Sequence, residues 1–358
     1  MVTISLCMIV KNEEAILSRC LDSVADLMDE IIIVDTGSSD GTKEIAKKYT
    51  SKVFDFTWID DFSAARNFAF SKATMDYIYS ADADEMLDEE NRERFKKLKE
   101  VLLPEVELVQ MKYVTQGAED AVQNVKKEYR PKLFKRLREW TWIDPVHETV
   151  RTDPVVYDSE VEIQHMPVTF HGKRDFIIFR KAYSRQGALS KRLASMYAKE
   201  LFKLGNLEEF RKAEDIFIDI WQKDPASDNG REAGCVLARL SRLENDAMSL
   251  MKYATRELVH DDPCAEMCYE LGMLHMNQLD YEEAVLWLYN AAYEALPIID
   301  IHTHGDLPLN GLVTCYVMMI DMEQAKGEEA NEDLLDYYRS ELAKHEKALD
   351  EWEYPEEF

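Results

Sequence analysis

The 358-residue chain has no apolar run approaching the roughly 20 residues needed to cross a bilayer; its longest lies near Leu312 to Ile320. A membrane span is therefore not expected. The amino terminus lacks the basic stretch and cleavage pattern of a secretory peptide, so the expected setting is cytoplasmic. Basic residues are outnumbered, 43 Lys and Arg against 70 Asp and Glu, for a net charge of −27. So acidic a surface repels nucleic acid and anionic lipid, and a nucleotide has to be met by local features. Cysteine is sparse: Cys7, Cys20, Cys235, Cys264, Cys268 and Cys315 are scattered, mostly among apolar neighbours. That spacing fits buried thiols in a reducing compartment better than a disulfide framework. Cys264 and Cys268 stand one helical turn apart, but no second pair completes a zinc site.

What is present describes a globular protein, with 46% hydrophobic residues and a mean hydropathy of −0.38. The length exceeds one ordinary core, so two unequal domains are expected. The first hundred residues alternate β-branched runs with helical patterns, as βαβ units do. Strands are predicted at residues 4–10, 31–34, 53–56 and 77–81, and helices near 14–26, 42–49, 62–73 and 91–102. Between residues 106 and 170 strand-like pieces dominate, at 108–114, 132–137, 146–150 and 155–164, and should complete the sheet. After His171 and Gly172 the pattern is almost wholly helical. Asp224-Pro225, Asp262-Pro263 and Leu296-Pro297 punctuate it, the prolines 38 and 34 positions apart. This is close to the roughly 34-residue tetratricopeptide period. Leu271-Gly272, Tyr281, Ala284, Leu288 and Ala291 fall where that repeat packs. The expected division is an α/β domain at residues 1–172, a helical-repeat domain at 173–350, and an acidic tail at 351–358.

Three strand exits in the first part carry polar residues, and such exits are where open α/β sheets bind ligands. At Val34-Asp35-Thr36-Gly37-Ser38-Ser39-Asp40-Gly41-Thr42 the strand stops at Asp35 and two glycines permit a tight turn. A carboxylate there is placed to accept a uracil imide N–H or a ribose hydroxyl; the plainer reading is a polar βα turn. In the segment 58–70, Asp61 and Ser63 open a helix bearing Arg66 and Asn67. Arg66 is positioned to reach a diphosphate bidentately, or simply to pair with Asp60 or Asp61. The third exit, Tyr77-Ile-Tyr-Ser-Ala-Asp82-Ala83-Asp84-Glu85, is an apolar strand ending in alternating carboxylates; strand side chains alternate faces, so Asp82 and Asp84 are expected to point the same way. Two such acids make half of a site for a hard divalent cation; a solvated strand end is the alternative.

Taken in order on one sheet, these segments resemble the family 2 glycosyltransferases, nucleotide-sugar enzymes of the GT-A fold. The lead-in Cys7-Met-Ile-Val-Lys-Asn12-Glu-Glu14, the Asp35 turn, the Asp61-Phe-Ser-Ala-Ala-Arg66-Asn67-Phe helix start and Ala81-Asp-Ala-Asp-Glu85 are similar to that family's motifs over residues 1–170. The resemblance implies a GT-A domain, a mixed and mostly parallel sheet, followed by an all-α helical-repeat domain. It implies that Asp35 contacts the uridine, that Asn12, Glu14, Arg66, Asn67 and Ala83 line the nucleotide, and that Asp82 and Asp84 bind Mn2+ or Mg2+. Trp140-Thr-Trp142-Ile-Asp144-Pro-Val-His147-Glu148 resembles an element of the subgroup related to lipopolysaccharide-core and peptide S-glycosyltransferases. Glu148 is then the expected base and His147 a third metal ligand. Neighbours on a strand face opposite ways, which keeps Asp144 as the alternative base. Trp142, His165 and His171 are expected to pack, and His302, His304 and Asp306 to be an incidental cluster.

The expected reaction is inverting transfer of a hexose or N-acetylhexosamine from a UDP-sugar to a peptide, protein or glycan acceptor. The helical domain would present the acceptor or form a homodimer. Two rivals stand beside it. A nucleotidyltransferase would open with a Gly-rich basic loop, which Lys11-Asn-Glu-Glu14 does not supply. A non-catalytic repeat protein with a relic sheet would not need acids at every expected position.

Overall fold

The structure, a computed structural model, describes residues 1–115, 127–150, 154–166, 172–259 and 263–353. His171 and most of the acidic tail lie outside the described residues. The chain divides into two compact units, Met1–Ala182 and a second that begins at Tyr183.

In the first unit the β-branched runs form β1 (Ile4–Val10), β2 (Glu30–Asp35), β3 (Val53–Asp55) and β4 (Tyr77–Ser80). Between and after them lie α1 (Leu17–Val24), α2 (Thr42–Tyr49), α3 (Phe62–Phe70) and α4 (Glu89–Val101). There follow β5 (Glu85–Met86), β6 (Leu108–Thr115), β7 (Lys127–Lys135), β8 (Trp142–Ile143), β9 (Thr149–Val150) and β10 (Val156–His165). Eight strands make one sheet in the order β3-β2-β1-β4-β7-β6-β10-β5, and β8 pairs only with β9 among the described residues. β1 runs parallel to both β2 and β4, β2 to β3, and β6 to β10. β7 runs antiparallel to β4 and β6, and β5 to β10. The sheet is thus mixed and mostly parallel.

A central parallel strand is covered on both faces, and β1 is buried on both. Ile4, Leu6, Met8 and Val10 join Leu17 and Leu21 of α1 and Phe95 and Leu98 of α4 in one core. Cys7 joins Ala69 and Phe70 of α3 with Phe134, Trp140 and Trp142 in another. Each such Leu, Ile or Phe taken fully out of water contributes roughly 1.5–3 kcal/mol. Asp61 caps α3 by accepting the Ala64 N–H at 3.0 Å, and Asp88 caps α4 by accepting that of Asn91 at 2.9 Å.

Two expectations change here. The strand expected at 146–150 contracts to Thr149–Val150, because Asp144 and His147 have φ of 72° and 48°, which no strand accommodates. The helix expected from residue 14 starts at Leu17, because residues 12–14 are tied to the turn after β2.

From Gly172 onward the described residues are helical: α5 (Gly172–Gln186), α6 (Lys191–Leu204), α7 (Leu207–Lys223), α8 (Asp228–Leu243), α9 (Ala247–Glu257), α10 (Ala265–Asn277), α11 (Tyr281–Tyr289), α12 (Asp306–Gln324) and α13 (Glu332–Asp350), with short 3₁₀ and π turns between them. Ser190, Asn206, Ser227, Asp246, Asp280 and Asn331 each cap the helix that follows. Gly272 of α10 meets Leu288 of α11, and a Cβ there would lie 2.7 Å from Leu288 Cγ. Ala284, Leu288 and Ala291 are fully buried in the same core. Between α8 and α10 the buried Glu270 pairs with Arg239 (2.6 Å) and Arg242. Among the described residues no helix is long and apolar enough to cross a membrane.

Candidate active site

Because β1 lies between β2 and β4 and parallel to both, the three segments leaving their carboxyl ends meet at one edge of the sheet. The chain passes from β1 to one flank and later to the other, and such reversals open a ligand crevice.

Asp35 ends β2 and is 1% exposed. Its Oδ1 accepts the N–H groups of Gly37 and Ser38, both at 2.9 Å, with Lys43 Nζ at 3.6 Å. Gly37 has a φ of 104°, a conformation that favours glycine. Asp35 Oδ2 is buried without a hydrogen-bond partner. Asn12 and Glu14, exposed at the exit of β1, brace this turn from the side. Asn12 Oδ1 accepts the Ser39 N–H at 2.8 Å, and Glu14 Oε2 accepts that of Gly41 at 2.8 Å. A Cβ at position 41 would come within 2.9 Å of the Glu14 carboxyl.

Asp82 and Asp84 leave β4, which stops at Ser80, so strand alternation does not govern them. A turn closed by the Glu85 N–H on the Asp82 carbonyl (3.2 Å) carries both acids, with the buried Ala83 between them. Asp82 Oδ1 accepts from Arg66 Nη2 at 2.9 Å. Burial pushes the Asp82 carboxyl up, but Arg66 and then Lys132 outweigh it and hold the group well below the usual carboxylate range. Asp84 Oδ2 lies 3.2 Å from His165 Nε2, while Asp84 Oδ1 is buried without a partner. Beneath them Lys132 pairs with the buried Glu85 and reaches the Ser80 carbonyl at 3.3 Å. Burial, then Asp82, raises Glu85 despite that lysine.

Arg66 is almost wholly enclosed. Its Nε donates to Glu148, Nη1 to Ser80 Oγ at 3.0 Å and Nη2 to Asp82, and its carbon stands 5.2 Å from the centre of the Trp142 ring. Asn67 binds the backbone of Trp142 at both ends, Nδ2 donating to its carbonyl (2.9 Å) and Oδ1 accepting its N–H (2.8 Å). Trp142 packs on Phe70 and Phe134. The ring of His147 stacks on Phe179 with centroids 5.8 Å apart. Asp144 sits in the same bend, half-buried at its positive φ.

Asp82, Asp84 and His147 do not bring their ligating atoms within 4.8 Å of one another; among the described residues Cys235, Cys264 and Glu266 do. That trio is a core feature: Glu266 accepts the N–H groups of Ile298, Ile299 and Asp300, and all six cysteines are buried free thiols. His302 pairs with Asp306 at 2.6 Å, and His304 Nδ1 meets the Ala291 carbonyl at 2.9 Å.

Three residues that the sequence reading gave no role in the site stand at this edge. His165, expected to pack, does lie on Tyr113 with centroids 5.0 Å apart, but also faces Asp84. Glu13 is half-buried; burial, then the charges of Asp84 and Asp82, push its carboxyl up to about 7. Arg130, 3.7 Å over the Tyr113 ring, adds to the cations acting on Asp82. The readable signal for Glu13 was its place between Asn12 and Glu14. His165 and Arg130 lie on strands that pair only at long range.

Residues 5–149 match the model of Glycosyl transferase family 2. The match falls within the first unit, on its mixed, mostly parallel sheet, with helices after it. A TPR repeat-containing protein of Synechococcus elongatus is 53% identical over 87 residues, 24% of this chain and 22% of that protein. The SPbeta prophage-derived glycosyltransferase SunS of Bacillus subtilis is 38% identical over 108 residues, 28% of this chain and 24% of that one. An uncharacterized glycosyltransferase of Rickettsia felis is 28% identical over 240 residues, 61% of this chain and 76% of that protein. The chain matches less than a quarter of the length of the first two.

Proposed function

We propose that the chain is an inverting, metal-dependent glycosyltransferase that moves a hexose or N-acetylhexosamine from a UDP-sugar to a peptide, protein or glycan acceptor. The observation that carries this reading is the pair of buried, unpartnered carboxylate oxygens, Asp35 Oδ2 and Asp84 Oδ1, at the exits of the two strands flanking β1. Buried acceptors are costly to leave unmet, so each is ready to accept from a ligand or to bind a cation. Asp35 suits the imide N–H of uracil. Asp84 offers a charged oxygen to a hard cation.

Asp84 and Asp82 would hold Mn2+ or Mg2+; of the two imidazoles His165 stands 3.2 Å from Asp84, although neither it nor His147 forms with the two acids a set of ligating atoms all within 4.8 Å of one another. When bound, such an ion offsets the charge gathering on the departing diphosphate. The chain's own part is to position and to move one proton. Asp35 fixes the base, the turn braced by Asn12 and Glu14 meets the nucleotide, and small Ala83 leaves room beside the acids. Glu148 takes the acceptor's proton as the nucleophile attacks the anomeric carbon from the face opposite the leaving group, with Asp144 as the alternative base. A single displacement inverts the configuration.

In this reading residues 1–172 are the catalytic domain, and residues 173–350 form a tetratricopeptide-like domain that presents the acceptor or pairs with a second copy. Six buried thiols fit a cytoplasmic setting.

The test is UDP release from a panel of UDP-sugars with Mn2+ or with a chelator. The wild type should release UDP only with metal, Asp84→Asn should slow it by about 100-fold, and Asp35→Asn should weaken UDP binding by about 10-fold or more. Metal-independent release, or full activity of Asp84→Asn, would refute the metal assignment. Silence across the panel would favour the repeat-protein alternative.

A further inference from the structure

The helix α3 reaches the segment Trp142–Glu148 in four places. The Phe62 N–H donates to the Pro145 carbonyl at 2.9 Å, Asn67 makes its two bonds to the Trp142 backbone, and Arg66 Nε donates to Glu148. The segment needs such anchoring. It contains two residues with left-handed backbone, Asp144 and His147, and its ladder to β9 is only two residues long. Left-handed backbone at non-glycine residues is unfavourable and persists only where surroundings dictate it.

The same guanidinium that holds Glu148 also binds Ser80 and Asp82 at the end of β4. All three of its nitrogens are therefore engaged by protein, and Trp142 lies against its face. Among the described residues, Arg66 is the one ionic partner of Glu148. Two carboxylates and a hydroxyl take one N–H from each of its nitrogens, so a diphosphate would have to compete with them for the guanidinium. Likewise the Asn67 amide has its oxygen and one N–H already committed to the Trp142 backbone.

We propose that Arg66 and Asn67 are positioning residues for transfer and not nucleotide ligands: from α3 they fasten the Trp142–Glu148 segment and set Glu148 against Asp82. The inference rests on Glu148 being the base in the reading above. It replaces the sequence-based roles of Arg66 at the diphosphate and Asn67 at the nucleotide.

The experiment compares wild type, Asn67→Asp, Arg66→Met, Glu148→Gln and the Arg66→Met/Glu148→Gln double variant. UDP release from UDP-glucose with Mn2+, water serving as acceptor, gives kcat and KM, and calorimetric titration with UDP and Mn2+ gives affinity. The expected result is a fall in kcat of about 100-fold for Arg66→Met and about 10-fold for Asn67→Asp, with UDP affinity within about 3-fold of wild type. The double variant should be no slower than the slower single variant, because both act through one carboxylate. If Arg66→Met fails to fold, Ser80→Ala removes one anchor of the guanidinium and should lower kcat with unchanged UDP affinity. A UDP affinity weakened about 10-fold or more in Arg66→Met or Asn67→Asp, or losses that multiply in the double variant, would overturn the inference while leaving the transferase reading intact. A wild type that neither binds UDP nor releases it would overturn both.

Discussion

Single carboxylates in this chain take their roles from what surrounds them. Asp35 and Asp84 each keep one buried oxygen unmet at the sheet edge, whereas the buried Glu30 has its charge answered by Lys52, Ser5 and Thr74. Burial pushes Glu30 up, but those donors together bring it down from an ordinary 4.5 to about 2. A depressed carboxyl stabilises the fold above its unfolded value, and that contribution is lost as pH falls from about 4.5 towards 2. Its size is about 3 kcal/mol. Glu30→Gln should accordingly cost much at pH 7 and little near pH 2.5. Denaturant unfolding at the two pH values would detect this, and an equal cost at both would contradict it.

Among the elements, those with local signals were readable and those depending on distant partners were not. β1 and α2 occupy the residues expected of them, because apolar alternation and the Gly41-Thr42 start are written into adjacent positions. Residues 146–148 of the bend were misread as strand. Val146 and Val150 favour extension locally, but α3, some 80 residues earlier, dictates the backbone there. The site was legible to a similar degree. Asp35, Asp82 and Asp84 announce themselves at strand exits, while the partners of Arg66 are scattered from Ser80 to Glu148 and become neighbours only once the sheet closes. In the helical part, Gly272 was marked for its smallness, and its contact with Leu288 leaves no room for a branched side chain. Gly272→Val should destabilise the fold by about 1–3 kcal/mol through overpacking. A chemical melt showing no loss would mean that α10 and α11 separate without penalty.

At the scale of the whole molecule, the two units hold separate cores, one around Leu6 and Phe95 and another around Leu288 and Leu312. Cooperativity generally follows the core rather than the chain. Scanning calorimetry is expected to resolve two transitions, with UDP and Mn2+ raising only the one that Leu6→Ala lowers. A single transition shifted as a block by both would mean that the units melt as one. The three acids and the guanidinium that matter most all hang from β1's immediate neighbours and the helix packed on its underside. These four groups therefore all depend on that one seven-residue ribbon. A bulky replacement at its midpoint should blunt nucleotide grip and cation grip together, as a warped hinge pin throws both leaves of a door.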